Sequence, residues 1–274
     1  MVNLTELYRI IVTANHILHN QDVVDAFGHI SVRHPTKPDV YILSANMAPS
    51  LVSRPSDLVE YYVANSSAVD PNAPKGFIER YIHSEMYKKY SNISCVIHSH
   101  AETVLSFAVS GVPLRPVYHM AGFMGTTVPV HDSQDYYGPT SKHDMLISSI
   151  PLGASLADTF TNTNSTATNS TTPQNTVVLM RRHGFTTWGP DIKTAVYRAV
   201  FMKTDAGVQA NAINLREALD GVGGTNMGET EFELASLTEE QARDCKKMNE
   251  EVQDRPWDMW VRNVERSPLY DNFA

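Results

Sequence analysis

The strongest constraint in this chain is the run Ser94-Cys95-Val96-Ile97-His98-Ser99-His100. An apolar strand ending in two histidines two residues apart places both imidazoles on one face of a sheet. Polar rings at the edge of a core are costly unless something satisfies them, and shared ligation of a divalent cation does so. A third histidine and a carboxylate would complete a four-ligand centre with an exchangeable position. His183 ends another apolar stretch, Thr176 to Met180, within Arg182-His183-Gly184. Glu79 opens a predicted helix. It reads either as a carboxylate favouring the helix dipole or as a ligand and general base beside the cation. His83, four residues on, shares its face, as an outer partner of the site or as a packed imidazole.

The rest of the chain reads as a vehicle for that centre. Its 274 residues allow one large domain or two small ones. A net charge of −8 leaves no footprint for nucleic acid or an anionic membrane. No apolar run approaches the roughly 20 residues that span a bilayer. The first residues lack the pattern of a secretory signal, so the expected location is cytoplasmic. The two cysteines, Cys95 and Cys245, form no framework and read as a buried small hydrophobe and a free thiol.

Periodicity predicts mixed α/β structure. Asn3 and Glu6 predict a capping box on a helix carrying Leu4, Leu7, Tyr8, Ile11, Ala14 and Leu18. Strand-like pieces follow at Gly28 to Arg33, Val40 to Ser44 and Leu58 to Val63, then a helix from Phe77 to Tyr90. Strand Ser94 to His98, helix Ala101 to Val109, strand Val128 to His131 and helix Pro151 to Phe160 come next. Residues 161–175, nearly all Thr, Asn and Ser, predict a disordered surface insert. Strand Thr176 to Met180 precedes a helix running from Asp191 to about Leu219. The Gly-rich stretch Gly221 to Gly228 lacks the context of a phosphate loop. Thr238 to Gln253 predicts a charged helix, followed by a tail with Trp257, Trp260 and Tyr270. The division expected is a domain over residues 1–220 and a helical extension over 221–274.

Gly28-His29-Ile30-Ser31-Val32-Arg33, Glu79 to His83, His98-x-His100 and Arg182-His183-Gly184 together resemble the class II aldolase/adducin head family, over about residues 4–215. The resemblance implies an α/β fold layered αβα, with a central, mainly antiparallel sheet flanked by helices. It implies a homotetramer with sites near subunit interfaces. His98, His100 and His183 match the family's metal-binding histidines, and Glu79 matches its acidic ligand and catalytic acid or base. One divalent ion per subunit is expected, zinc or manganese, with iron or cobalt also accepted by three imidazoles.

Departures from the family's sugar-phosphate aldolases point to a different substrate. Their Gly-containing phosphate cradle is Ser44-Ala45-Asn46-Met47-Ala48-Pro49 here, and their two hydroxyl residues before the catalytic Glu are Phe77 and Ile78. Apolar side chains cannot donate to phosphate. Ala26-Phe27-Gly28-His29, Tyr81-Ile82-His83-Ser84-Glu85 and Arg115-Pro116-Val117-Tyr118-His119-Met120 are similar to a branch of metal-dependent decarboxylases of hydroxylated ring or muconate-type acids. His29 and His119 thus join Glu79 as candidate catalytic groups, with Ser31, Ser44, Arg80, Tyr81 and His83 as candidate substrate-binding residues. The expected activity is a metal-dependent carbon–carbon lyase, decarboxylating a hydroxy- or keto-carboxylic acid through a metal-stabilised enolate. The alternatives are an aldolase or epimerase acting on an unphosphorylated substrate, and a non-catalytic adducin-like scaffold.

Overall fold

In a computed structural model of the chain, residues 3–161, 170–221 and 234–274 are described. The central part of the predicted insert, residues 162–169, and the Gly-rich stretch with its surroundings, residues 222–233, lie outside them. Seven strands form one sheet: β1 (His29–Arg33), β2 (Val40–Ser44), β3 (Leu58–Tyr62), β4 (Cys95–Ser99), β5 (Val130–His131), β6 (Val177–Met180) and β7 (Gly184–Gly189). Their spatial order is β3-β2-β1-β4-β7-β6-β5. Every pairing is antiparallel except β5 with β6. The layered, mainly antiparallel architecture expected from the sequence is therefore the one observed.

The strands alternate, and each face builds its own core. Ile30, Val32, Ile42, Cys95, Ile97, Leu179 and Phe185 face one side. There they meet α1 (Leu4–Asn20), α3 (Glu102–Ser110), α5 (Ile192–Gly221) and α7 (Asp254–Glu265). Tyr41, Leu43, Val59, Tyr61, Val96, Val178, Met180 and Trp188 face the other, under α2 (Arg80–Lys89) and α4 (Ile150–Thr159). The register puts His29 opposite His98 and His98 opposite Thr186, in the middle of the sheet. A one-residue slip would send all of them to the wrong face.

Several predicted details differ. Asn3 caps α1 by accepting from the Thr5 amide, but Glu6 pairs with Arg9 instead of closing a capping box. Helix α2 starts at Arg80, three residues later than its periodicity predicts, with Glu79 at its N-cap. The tail after α6 (Glu239–Val252), expected only as part of a helical extension, contains the helix α7. Trp257, Trp260 and Val264 of α7 join the first core. Each large side chain buried there contributes roughly 1.5–3 kcal/mol, so α7 is anchored to the sheet layer. Helix α6 lies on a 3-10 turn at His119–Met124, where Gly122 leaves room for Cys245 and the Ala242 carbonyl. Both cysteines are free, Cys95 buried and Cys245 half-buried. Among the described residues, no helix is long and apolar enough to cross a membrane.

Candidate metal centre and adjoining cavity

Each member of the site is delivered by a different local device. His98 is the fourth residue of β4, and His100 follows the strand's end. His183 sits in the three-residue loop that joins β6 to β7, between the paired Met180 and Gly184. That loop is held from both sides. Arg182 adopts a left-handed backbone, φ 60°, and its guanidinium donates to both carboxylate oxygens of Asp132 at 2.7 and 2.8 Å. Gly184, at φ 158°, presses on the Ser99 carbonyl, where a Cβ would not fit. Glu79 stands at the N-cap of α2 but makes no capping bond. Its Oε1 accepts from the buried amide of Ile147 at 2.9 Å, which turns the carboxylate toward the histidines. Glu79 thus stands at the N-terminus of α2 with its carboxylate beside the cluster, a position compatible with both readings of its role.

Ligand atoms of Glu79, His98, His100 and His183 all lie within 4.8 Å of one another. Glu79 Oε2 is 3.6 Å from His98 Nε2, and Oε1 is 3.4 Å from His183 Nε2. His98 Nε2 is 2.9 Å from His100 Nε2. The backbone fixes the His98 tautomer. Its Nδ1 lies 3.0 Å from the Phe185 carbonyl, which can only accept, so Nδ1 carries the proton and Nε2 offers a lone pair to the cluster. Burial, then the neighbouring His183 and His100, depress the His98 pKa well below its ordinary value. Burial and His183 lower that of His100. Neutral imidazoles are the ligating form. Among the described residues, both ring nitrogens of His183 are buried without a hydrogen-bond partner, which costs stability unless a ligand satisfies them. Three imidazoles, one carboxylate and these orphaned nitrogens fit a divalent cation.

Beside the cluster lies a cavity of about 850 Å³, walled in part by Glu79 and His100. Phe27, Phe77, Ile78 and Leu146 supply apolar surface, and Arg80 and Lys75 supply positive charge. Arg80 spends three N–H groups on the Ser66 and Phe77 carbonyls and the Tyr81 hydroxyl, and its guanidinium stacks over the Tyr81 ring. Two N–H groups remain.

The other predicted site residues are not all at this cavity. His29 is buried beside the cluster, its ring 5.1 Å from that of His98 and 4.6 Å from that of Phe77. His83 and Ser31 lie behind it in a buried hydrogen-bonded chain rather than on the cavity wall. Ser44 is fully buried with its hydroxyl unpartnered, and it too is away from that wall. His119 is exposed on the 3-10 turn under α6, where Asn249 binds its carbonyl, and it joins neither the cluster nor the cavity. The sequence reading missed Ile147, Leu146, Ser66 and Tyr87. Only Tyr87 carried a signal, its i+4 spacing from His83; Ile147 contributes a backbone amide, which no side-chain pattern reports.

Three comparisons bear on this geometry. Residues 9–210 match the Class II Aldolase and Adducin N-terminal domain. The chain is 41% identical over 266 residues to Decarboxylase tropJ of Talaromyces stipitatus, covering 97% of both chains. Among solved structures, an aldolase II superfamily protein from Pseudomonas syringae superposes with a TM-score of 0.67 at 16% identity, over 97% of this chain and 94% of that one. L-fuculose 1-phosphate aldolase from Glaciozyma antarctica PI12 superposes with a TM-score of 0.65 at 17% identity, over 97% and 92%. At these identities the structural likeness speaks for the fold alone.

Proposed function

This chain belongs to the class II aldolase and adducin family, and from that premise we propose that it is a metal-dependent lyase that decarboxylates a hydroxylated ring carboxylic acid. The observation that carries the reading is the pairing of the Glu79–His98–His100–His183 cluster with a cavity walled by Phe77, Ile78 and Leu146. A planar ring fits such walls, and Phe77 and Ile78 stand where the family's sugar-phosphate aldolases place two hydroxyl donors. Arg80 and Lys75 offer the positive charge that draws a carboxylate in. The resemblance to a decarboxylase along nearly the whole chain points the same way.

His98, His100 and His183 would hold the cation, with Glu79 as fourth ligand or proton carrier. A bound divalent cation supplies Lewis-acid stabilisation of the negative charge that develops on adjacent substrate oxygens. The protein's own groups do the rest. Phe77 and Ile78 shield the ring from water. Arg80 orients the carboxylate. Glu79, tethered at Oε1 by the Ile147 amide, keeps Oε2 to deliver a proton to the carbon that loses carbon dioxide. His29, buried beside His98 with its Nε2 unpartnered, would receive a substrate hydroxyl bound at the cluster. His119, exposed on its own subunit, fits a contribution across an interface in the homotetramer that the family resemblance implies. The reading keeps zinc or manganese as the ion and the cytoplasm as the location.

The test is to load the purified protein with zinc or manganese, supply hydroxylated ring acids and follow carbon dioxide. Metal-dependent carbon dioxide release is expected, lost on chelation and reduced on the order of 10²- to 10⁴-fold in Glu79→Gln. Aldehyde release without carbon dioxide would overturn the decarboxylase in favour of an aldolase. A metal-free preparation unaffected by His100→Ala would point to a scaffold.

A further inference from the structure

Behind His29 runs an unbroken chain of buried polar groups. His29 Nδ1 lies 2.8 Å from His83 Nε2. His83 Nδ1 lies 2.6 Å from Ser31 Oγ, and Ser31 Oγ lies 2.8 Å from the Tyr87 hydroxyl. The Tyr87 hydroxyl reaches a final acceptor, the Ser94 carbonyl, at 3.5 Å. His83, Ser31 and Tyr87 are buried, and among the described residues no acidic side chain, lysine or arginine bonds to the side chains of this network. At its front end His29 Nε2 is buried and unpartnered, beside the metal-ligand cluster.

Such a chain has only two hydrogen-bond directions. In the first, Tyr87 donates to the Ser94 carbonyl, Ser31 donates to Tyr87, His83 Nδ1–H donates to Ser31, and His29 Nδ1–H donates to His83 Nε2. Every hydrogen then has an acceptor, and His29 Nε2 is a bare lone pair. In the second, the His29–His83, His83–Ser31 and Ser31–Tyr87 bonds reverse, the bond to the Ser94 carbonyl is lost because a carbonyl only accepts, and His29 Nε2–H becomes a buried donor with nothing to bind. Orphaned buried N–H groups are rarer and costlier than under-used acceptors. Both directions need neutral imidazoles, and burial supplies that condition, depressing the His83 pKa to about 3.

We propose that the chain His83–Ser31–Tyr87 fixes the tautomer of His29, so that Nε2 meets the substrate as a hydrogen-bond acceptor. This deepens the decarboxylase reading and rests on its placing of His29 against substrate: the group it meets must be a donor, a ring hydroxyl rather than a carboxylate or carbonyl oxygen. His83, Ser31 and Tyr87 are positioning residues, since their bonded chain reaches the cluster only through His29.

Nitrogen-15 spectra of histidine-labelled, zinc-loaded full-length protein test the assignment at neutral pH without substrate, with resonances assigned by loss in His29→Asn and His83→Gln. In the wild type, both His29 and His83 should carry their proton on Nδ1 and show an unprotonated Nε2. Tyr87→Phe leaves the Ser31 hydrogen only His83 Nδ1 as acceptor. Both rings should then move their proton to Nε2, and kcat should fall at least tenfold with KM changed less than threefold. A wild-type His29 protonated at Nε2 overturns the proposal. So does a Tyr87→Phe protein whose tautomers stay unchanged. If Tyr87→Phe does not fold, the wild-type spectrum decides alone. Because no substrate is present, a failed tautomer assignment leaves decarboxylation standing, and a failed decarboxylase assay leaves the tautomer standing.

Discussion

The two faces of the sheet are built from different materials. Under α1, α3, α5 and α7 the core is mostly aliphatic, and its buried polar groups are tied to backbone. Asp205 accepts from the Val117 and Tyr118 amides, and Gln209 bonds the Arg115 amide and the Pro113 carbonyl. Under α2 and α4 the core holds Tyr41, Tyr61, Tyr87 and Tyr90, and its buried polar groups bond largely to one another. The unpartnered nitrogens of His29 and His183 belong with this second group. Apolar burial dominates stability, and the unpartnered nitrogens of the second face stand at the metal-ligand cluster, where a ligand would satisfy them. One strand, β4, serves both: Cys95 and Ile97 point to the first face, Val96 and His98 to the second.

That division can be broken experimentally, and the largest effect should come from the second face. Chelation, or His100→Ala, should lower kcat by about 10³-fold or more, the equivalent of ~4 kcal/mol of transition-state stabilisation. Circular dichroism should show the fold intact. Activity that survives both would remove chemistry from this face altogether. Next in size, Ile17→Ala on the first face, where Ile17 is fully buried, should cost roughly 2–5 kcal/mol in denaturant unfolding. Turnover per folded molecule should stay within about twofold. A large drop in turnover would show that the two faces are coupled.

A smaller effect separates the faces by pH. Burial pushes the Asp205 carboxyl up to about 7, against two amide bonds that pull it down. A folded pKa above the unfolded one gives a contribution that is full below about pH 4 and lost as pH rises through 7. The stability of wild type relative to Asp205→Asn, read by thermal unfolding, should therefore fall between pH 4 and 7, by up to roughly 4 kcal/mol. A pH-independent difference would contradict the assignment. The smallest effect is expected at the cavity rim. Ile78 is 52% exposed, so Ile78→Asp should leave stability within about 0.5 kcal/mol. The added carboxylate should repel an anionic substrate and raise KM roughly tenfold; an unchanged KM would move the substrate away from this wall.

Much of the second face was legible because strand alternation turns sequence into direction. Val40 to Ser44 reads as a strand and is one. His98 and His100 read as neighbours and lie 2.9 Å apart at Nε2. Glu79 and His183 were found as residues, but nothing local says that α2 and the β6–β7 loop converge on β4, and the resemblance supplied that. The start of α2 was misread because Phe77 and Ile78 fit its periodicity while serving the cavity. Helix α7 falls in the expected helical extension but was not delimited, although Trp257, Trp260, Val261 and Val264 carry a helical stripe and Pro256 is tolerated in its first turn. His83 and Ser31 were identified as functional yet assigned to substrate, since spacing gives a shared face and not the partner across it.

The residues of the metal cluster are far apart in the chain: Glu79 precedes α2, His98 and His100 end β4, and His183 turns between β6 and β7. A cation held by all of them is also a cross-link, closing one loop of about 20 residues and another of about 85, and loops of that length are entropically costly to close. Folding and loading then become linked equilibria. The melting temperature of this protein should rise with the logarithm of free metal, and the supply of the ion would set how long the protein persists as well as how fast it works.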